Sequence, residues 1–261
     1  MLPLPAGEGW GGGSKVKIMP VCSKCTELSF SSDGFRLSGT LHLPGIHQPP
    51  VVVGSHGLLS SGGSPKQIEM ARQCSANGMA FFRFDHRGCG QSEGCKADAT
   101  DFNGRCRDLQ CAINFLRNNY DLNPKTGLFG SSLGGAVCLS VAAATRIHAL
   151  VTVAAPLDSN SLIDSAQGVI PAGLSADMAL SPRFRFDLSD SLYAISNLLI
   201  FHGENDLVVP VSHALKLFEK AGHPKKLVIQ ENGDHIMSLP VHQQSFMQES
   251  LLWFSAILKT G

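Results

Sequence analysis

Strands alternating with helices along most of the 261-residue chain predict an α/β fold, with a mostly parallel central sheet covered by helices on both faces. Three observations carry that expectation. Short runs such as Val51-Val52-Val53-Gly54-Ser55 and Met79-Ala80-Phe81-Phe82-Arg83-Phe84 have the continuous apolar character of strands buried on both sides. Between such runs lie stretches with helical spacing, as over 101–119, where Leu109, Ala112, Ile113 and Leu116 line one side. The hydrophobic content of 43% in a chain of this length is enough for one large core.

In chain order, residues 1–25 are rich in glycine and proline and include the linker-like Gly11-Gly12-Gly13-Ser14, so they are expected to form a flexible tail. The main domain is expected over 26–258. Strand-like runs near 27–31 and 35–43, separated by Ser32-Asp33-Gly34, predict an opening β-hairpin. The Val51–Ser55 strand precedes a helix from Pro65 to Asn77 that stops at Gly78. Strand 79–84, helix 101–119, strand 126–130, helix 133–144 and strand 148–155 follow. Strand 197–202, helix 211–221, strand 226–230 and a last helix at about 240–257 complete the alternation. Residues 156–196 break the rhythm with Pro156, Pro171, Pro182 and an apolar set including Leu157, Leu162, Ile170, Met178 and Phe184. An insertion of that length suggests a small cap over a site, the plainer alternative being a crossover helix with loose flanks.

Charge excludes some partners. The 21 basic and 21 acidic residues cancel, and no Lys/Arg run exceeds Lys225-Lys226, so nucleic acid is not an expected partner. No apolar stretch approaches the length of a membrane span, and Met1-Leu2-Pro3-Leu4-Pro5 lacks the marks of a signal peptide, which predicts a soluble, cytoplasmic protein. The eight scattered cysteines suit free thiols. Cys22-Ser23-Lys24-Cys25 has the spacing of half a zinc site, but no second pair stands at usable spacing, and no metal is expected.

The chemistry-bearing residues cluster at predicted strand ends. Gly130-Ser131-Ser132-Leu133-Gly134 fits G-x-S-x-G, follows a strand and opens a helix, which makes Ser132 the candidate nucleophile. Ser131 carries the same hydroxyl, but the spacing to both glycines favours Ser132. A serine needs a general base, and the base a partner that fixes its tautomer. His235, in the loop after the last strand, is the candidate base, and Asp206, after the preceding strand, the candidate orienting acid. Asp158, Glu204 and Asp234 are the competing carboxylates. His202, His213, His223 and His242 read as loop or helix-surface residues. The backbone N–H of Leu133 and that of Leu58, in Ser55-His56-Gly57-Leu58, are the expected oxyanion donors. His56 is expected to hold its loop through ring hydrogen bonds. In Asp85-His86-Arg87-Gly88-Cys89-Gly90-Gln91-Ser92 the glycines lack the spacing of a phosphate-binding loop, so Asp85 and Arg87 are expected to brace the loop by hydrogen bonds and an ion pair.

Together with Gly203-Glu204-Asn205-Asp206-Leu207-Val208-Val209-Pro210 and Gly233-Asp234-His235, these segments resemble the α/β-hydrolase superfamily over about residues 26–258. The opening hairpin Ser32 to Leu41 and the short cap look like the cinnamoyl/feruloyl esterase, dienelactone-hydrolase-like and serine-aminopeptidase-like branches. Dienelactone hydrolases proper use a cysteine where this chain has Ser132, and Cys138 inside the following helix is expected to be core. The resemblance implies an α/β-hydrolase fold and a cofactor-independent serine hydrolase cleaving a small carboxylic ester. Acyl transfer, thioester or short-peptide cleavage on the same residues, and a non-catalytic ligand-binding role, are the alternatives.

Overall fold

Side chains alternate across a strand, so each strand of a covered sheet must supply apolar residues to two helical layers at once. That rule organises a computed structural model of the chain, which describes residues 24–160, 175, 177 and 181–260. The sheet has the order β1-β2-β4-β3-β5-β6-β7-β8. Its strands are β1 (Lys24–Ser32), β2 (Phe35–Leu43), β3 (Val51–Ser55), β4 (Ala80–Phe84), β5 (Thr126–Ser131), β6 (Ala149–Val153), β7 (Leu198–Gly203) and β8 (Lys225–Gln230). Only the β1/β2 and β2/β4 pairings are antiparallel. Val53, Leu128, Leu150 and Ile200 face the layer containing α3 (Phe102–Asn119), α4 (Leu133–Ala144) and α5 (Ser212–Lys220). Val52, Phe129, Val151 and Phe201 face α1 (Pro65–Ala76) and α6 (Pro240–Leu258).

Local chemistry explains the boundaries. The hairpin between β1 and β2 pairs Ser32 with Phe35 and turns through Asp33 and Gly34, both at positive φ, the geometry whose twist matches the flanking strands. Pro65 opens α1, where a missing N–H costs nothing, and the Asp101 side chain caps α3 by accepting from Gly104 N. The chain runs from β3 to β4 on one side, then returns to place β5 on the other side of β3. Outside the carboxyl ends of β3 and β5 lies the crevice where doubly wound sheets bind ligands.

The expected strands and helices all form, with ends shifted by up to three residues. Cys25 lies inside β1, which starts earlier than expected, rather than in the segment before it. A short helix, α2 (Lys96–Ala99), was not anticipated; Asp98 caps it by accepting from Cys95 N at 2.9 Å. The tail through residue 23, with Cys22, and most of 161–180 within the expected cap lie outside the described residues. Among the described residues no helix is long and apolar enough to cross a membrane.

Candidate active site

At the carboxyl end of β5 the backbone changes direction within one residue. Ser132 has φ 53° and ψ −129°, a conformation that costs a non-glycine residue about 1–3 kcal/mol and persists only where the surroundings impose it. The two flanking glycines remove what would otherwise be collisions. A Cβ on Gly130 would stand 2.4 Å from Gly134 O, and one on Gly134 would stand 2.2 Å from Ser55 O. The turn is tied down by Ser132 N–H donating to Val153 O at 2.8 Å, and it projects the half-buried Ser132 hydroxyl above α4.

The structure brings Ser132, His235 and Asp206 together from three separate strand ends. His235 Nε2 is 3.1 Å from Ser132 Oγ, and His235 Nδ1 is 2.7 Å from Asp206 Oδ2. With Nδ1–H donating to the carboxylate, Nε2 is left to accept from the serine. Asp206 is enclosed, and its Oδ1 accepts from Val208 N and Val209 N, each at 2.8 Å. Burial alone would raise its pKa, but hydrogen bonds from His202 and His235, the His235 charge and the Val209 amide win and hold the carboxyl below the usual carboxylate range.

Two competing carboxylates are engaged elsewhere: Glu204 accepts from Asn232 N at 3.0 Å, and Asp234 accepts from Ser238 N at 2.8 Å. The backbone of Asp158 forms an isolated antiparallel bridge with that of Asp187, away from the Ser132–His235–Asp206 relay. Ser131 remains within β5.

Two histidines contradict the surface reading. His202 sits inside β7, fully enclosed, with Nε2 2.7 Å from Val209 O and 3.4 Å from Asp206 Oδ2. His213 is buried on α5 and accepts from Leu157 N at 3.0 Å. In both cases a polar ring replaces an apolar side chain in a core position because a backbone group nearby needs a partner. His223 is exposed and His242 half-buried, nearer to expectation.

The loops after β3 and β4 rest on a buried polar network. His56 Nε2 accepts from His86 N at 3.1 Å, so its proton is on Nδ1, which donates to Gly57 O at 2.8 Å. Burial first, then the Arg105 and His86 charges, push the His56 pKa well down, keeping the ring neutral. Asp85 accepts from Gly62 N at 2.7 Å and Gln91 N at 2.8 Å, bracing the loop as expected. The ion pair of Arg87 goes to Asp108 on α3, at 2.7 Å, and to Asp33, at 3.0 Å. The buried charges Arg105 and Asp108 escaped the sequence reading, although a signal existed. Both fall on the stripe of α3 that carries Leu109, Ala112 and Leu116, where a charge has no solvent to face.

Leu133 directly follows Ser132, and Leu58 lies in the loop after β3. Leu133 is the first residue of α4, where N–H groups lack intrahelical acceptors. The Leu58 loop lies against the nucleophile turn: a Cβ on Gly57 would be 3.5 Å from Ser132 Cβ. Among the described residues neither N–H has a backbone acceptor.

This combination of sheet and site defines an α/β-hydrolase. The family described as "Serine aminopeptidase, S33" matches residues 47–180, and the chain belongs to that family. It is similar to the uncharacterized protein YfhR of Escherichia coli O157:H7, 29% identical over 231 residues that cover 86% of this chain and 78% of that protein. Among solved structures it is similar to the esterase domain of a Rhodothermus marinus protein, with 26% identity, TM-score 0.69 and coverage of 90% of this chain and 99% of that one. The α/β hydrolase GrgF of Penicillium sp. sh18 shares the fold at 20% identity and TM-score 0.77, covering 91% of this chain and all of that one, 100%. The chain is thus a hydrolase, and the expected likeness to the serine-aminopeptidase-like branch is met by a match that covers the segment from residue 47 to 180.

Proposed function

We propose that the chain is a serine hydrolase that cleaves a carboxylic ester through an acyl-enzyme on Ser132. The observation that carries this reading is the continuous relay from Ser132 Oγ through His235 to Asp206, with both contacts at hydrogen-bond distance. Ser132 Oγ attacks the acyl carbonyl while His235 Nε2 takes its proton. Asp206 holds the ring in the productive tautomer and stabilises the imidazolium. The developing oxyanion is received by the N–H groups of Leu58 and Leu133, the latter at the positive end of α4. His235 returns the proton to the leaving alkoxide, and a water, activated by the same ring, releases the acid. No cofactor is needed for any step.

The ester preference is supported by the Rhodothermus marinus esterase domain and by the chemistry of the leaving group, since an alkoxide departs with less assistance than an amine. The family's description favours one second reading, hydrolysis of an aminoacyl amide on the same relay. The segment 156–196 is proposed to cap the site. Its described downstream end reaches α3, with Phe186 stacked on Phe102 at 4.1 Å between ring centroids. A cytoplasmic setting belongs to the same proposal, supported by an N-terminus Met1-Leu2-Pro3-Leu4-Pro5 without the marks of a signal peptide.

The test is labelling with a fluorophosphonate probe. Wild type should label and Ser132→Ala should not; equal labelling of the two would remove Ser132 from the mechanism. Turnover of a panel of aryl esters, thioesters and aminoacyl amides by the wild type then decides the substrate class, esters being expected to lead.

A further inference from the structure

We propose that Arg105 is a positioning residue that fixes the Leu58 N–H in the oxyanion hole, an inference that rests on the reading of Ser132 as nucleophile. Arg105 is fully buried on α3, one turn before Leu109. Its hydrogen-bond partners on the backbone are carbonyls: Ala99 O at 3.2 Å through Nη1, and His56 O at 2.5 Å and Gly57 O at 3.3 Å through Nη2. Its Nε is buried with no partner among the described residues. Asp108, the carboxylate on the same helix face, is already engaged by Arg87 at 2.7 Å. A buried guanidinium that meets carbonyls and the Cys89 thiol instead of a carboxylate, with Nε left over, is a costly arrangement, and burial lowers even its pKa. An apolar side chain at 105 would fill the space with less penalty, so the arrangement calls for a purpose other than stability.

The purpose follows from peptide geometry. In a trans peptide the C=O and N–H point in opposite directions. The Gly57 carbonyl accepts from two side chains, His56 Nδ1–H at 2.8 Å and Arg105 Nη2–H at 3.3 Å, and more loosely from Ser60 N–H at 3.4 Å within the same loop. The N–H of the same peptide unit, that of Leu58, is therefore turned outward. Gly57 packs on the nucleophile turn, where its Cβ would lie 3.5 Å from both Ser132 Cβ and Ser131 O. Outward from this loop is the space above Ser132 Oγ. The His56 ring ties this loop to the β4 loop, through His86 N at 3.1 Å, but not to the helix layer. Arg105 joins the loop to the sheet-packed helix α3, which sets the peptide plane relative to Ser132. The guanidinium charge adds a positive potential behind the peptide dipoles, and because Arg105 is fully buried that potential is weakly screened.

Arg105→Met and Arg105→Lys compared with wild type test this, using a short-chain aryl ester and an arylboronic acid that forms a tetrahedral anion on the serine. Arg105→Met should lower kcat by about 10–100-fold and weaken boronate inhibition by the same factor, with KM changed less than threefold. Arg105→Lys, which keeps the charge but reaches fewer carbonyls, should fall between. If Arg105 only supports the fold, kcat per labelled active site and the boronate Ki will stay at wild-type values, which overturns the proposal. Should both variants fail to fold, the wild type still decides: with leucine amides labelled by 15N, the Leu58 proton resonance should move downfield on boronate binding, and an unmoved resonance overturns it. Fluorophosphonate labelling separates the two layers. Labelling of Ser132→Ala would overturn the nucleophile assignment and this inference together, whereas a silent Ser132→Ala with unchanged boronate affinity in Arg105→Met overturns the Arg105 role alone.

Discussion

The two pairs of loops that converge on Ser132 are held in place by opposite means. The loops after β3 and β4 rest on enclosed polar and charged side chains: His56, His86, Arg87, Arg105 and Asp108 are all at most 2% exposed. The loops after β7 and β8 are laced mainly by their own backbone, through Glu204 N to Gln230 O and Asn205 N to Gly233 O. They carry apolar side chains into solvent, with Leu207 at 89% and Ile236 at 64% exposure. Their one enclosed charge is Asp206. A buried ionic network is lost as a unit when one member is removed, whereas a loop held by main-chain bonds tolerates side-chain exchange. Arg105 apart, whose proposed role is read out in rate, substitutions in the first pair should therefore show up as lost stability, and those in the second as lost rate.

The largest expected effect is on rate. Asp206→Asn retains an acceptor for Val208 N and Val209 N but presents an amide to His235 Nδ1, which favours the wrong tautomer for accepting from Ser132. A fall in kcat of about 10⁴-fold is expected, with a denaturation midpoint close to wild type. Asp158→Asn should leave kcat within a few-fold of wild type. A larger loss at Asp158 in ester-hydrolysis assays would reassign the orienting acid.

Asp108→Ala should do the reverse. It leaves Arg87 buried beside only the half-exposed Asp33 and removes the acceptor of Arg87 N at 3.0 Å. Hydrogen bonds from His86 and Arg87 and the His86 charge overcome the burial that would otherwise raise the Asp108 pKa, keeping it ionised. Loss of one member of such a pair costs about 3–5 kcal/mol, measurable as a shifted urea midpoint at constant slope. A midpoint unchanged from wild type would break the contrast between the two loop pairs.

How much of this was legible beforehand depended on whether the signal was local. The elbow at Ser132 was readable because its two glycines are forced by contacts within five residues of chain and with the adjoining strand. Asp206 and His235 were readable because strand ends recur in a fixed order along a doubly wound sheet. The ring of His202 and the charges Arg105 and Asp108 were not, since their reasons are carbonyls and charges brought close only by folding: Val209 O for His202, His56 O for Arg105 and Arg87 for Asp108. A charge within the apolar stripe of α3 marks such a position, but it does not name the partner.

The buried histidines predict how stability follows pH. Burial, followed by the Arg105 charge, lowers the His86 pKa to about 4, and burial, followed by the Arg83 charge, lowers that of His42 to about 4. Unfolded, each ring takes up a proton near its ordinary value of 6.5. Between those limits the unfolded chain binds more protons than the folded one, so stability is present above about pH 6.5 and is lost as pH falls towards 4. The fully enclosed His86 alone should contribute a loss of about 3 kcal/mol across that window. The depressed carboxyls of Asp108 and Asp206 act at lower pH, where unfolded aspartates protonate. Urea denaturation at pH 7, 5.5 and 4.5 should give a steadily falling midpoint; a flat profile over that range would mean that the rings are protonated without cost and that the β4 loop is looser than its hydrogen bonds imply.

The smallest effect concerns the seam between the buried network and the far end of residues 156–196. Asp101 caps α3 through Gly104 N at 2.9 Å and also accepts from Arg183 Nη2 at 2.9 Å, so one carboxylate serves both the helix start and the described end of the 156–196 interval. These two roles separate by substitution. Asp101→Ala removes both and should cost about 1 kcal/mol, mostly as the lost cap. Asp101→Ser keeps a capping oxygen but gives up the pair with Arg183, which is half exposed and therefore worth well under 1 kcal/mol. Asp101→Ser should thus unfold at nearly the wild-type urea concentration. If it instead falls as far as Asp101→Ala, the Arg183 contact is the stronger of the two, and the segment 156–196 is anchored by charge in the manner of the β3 and β4 loops.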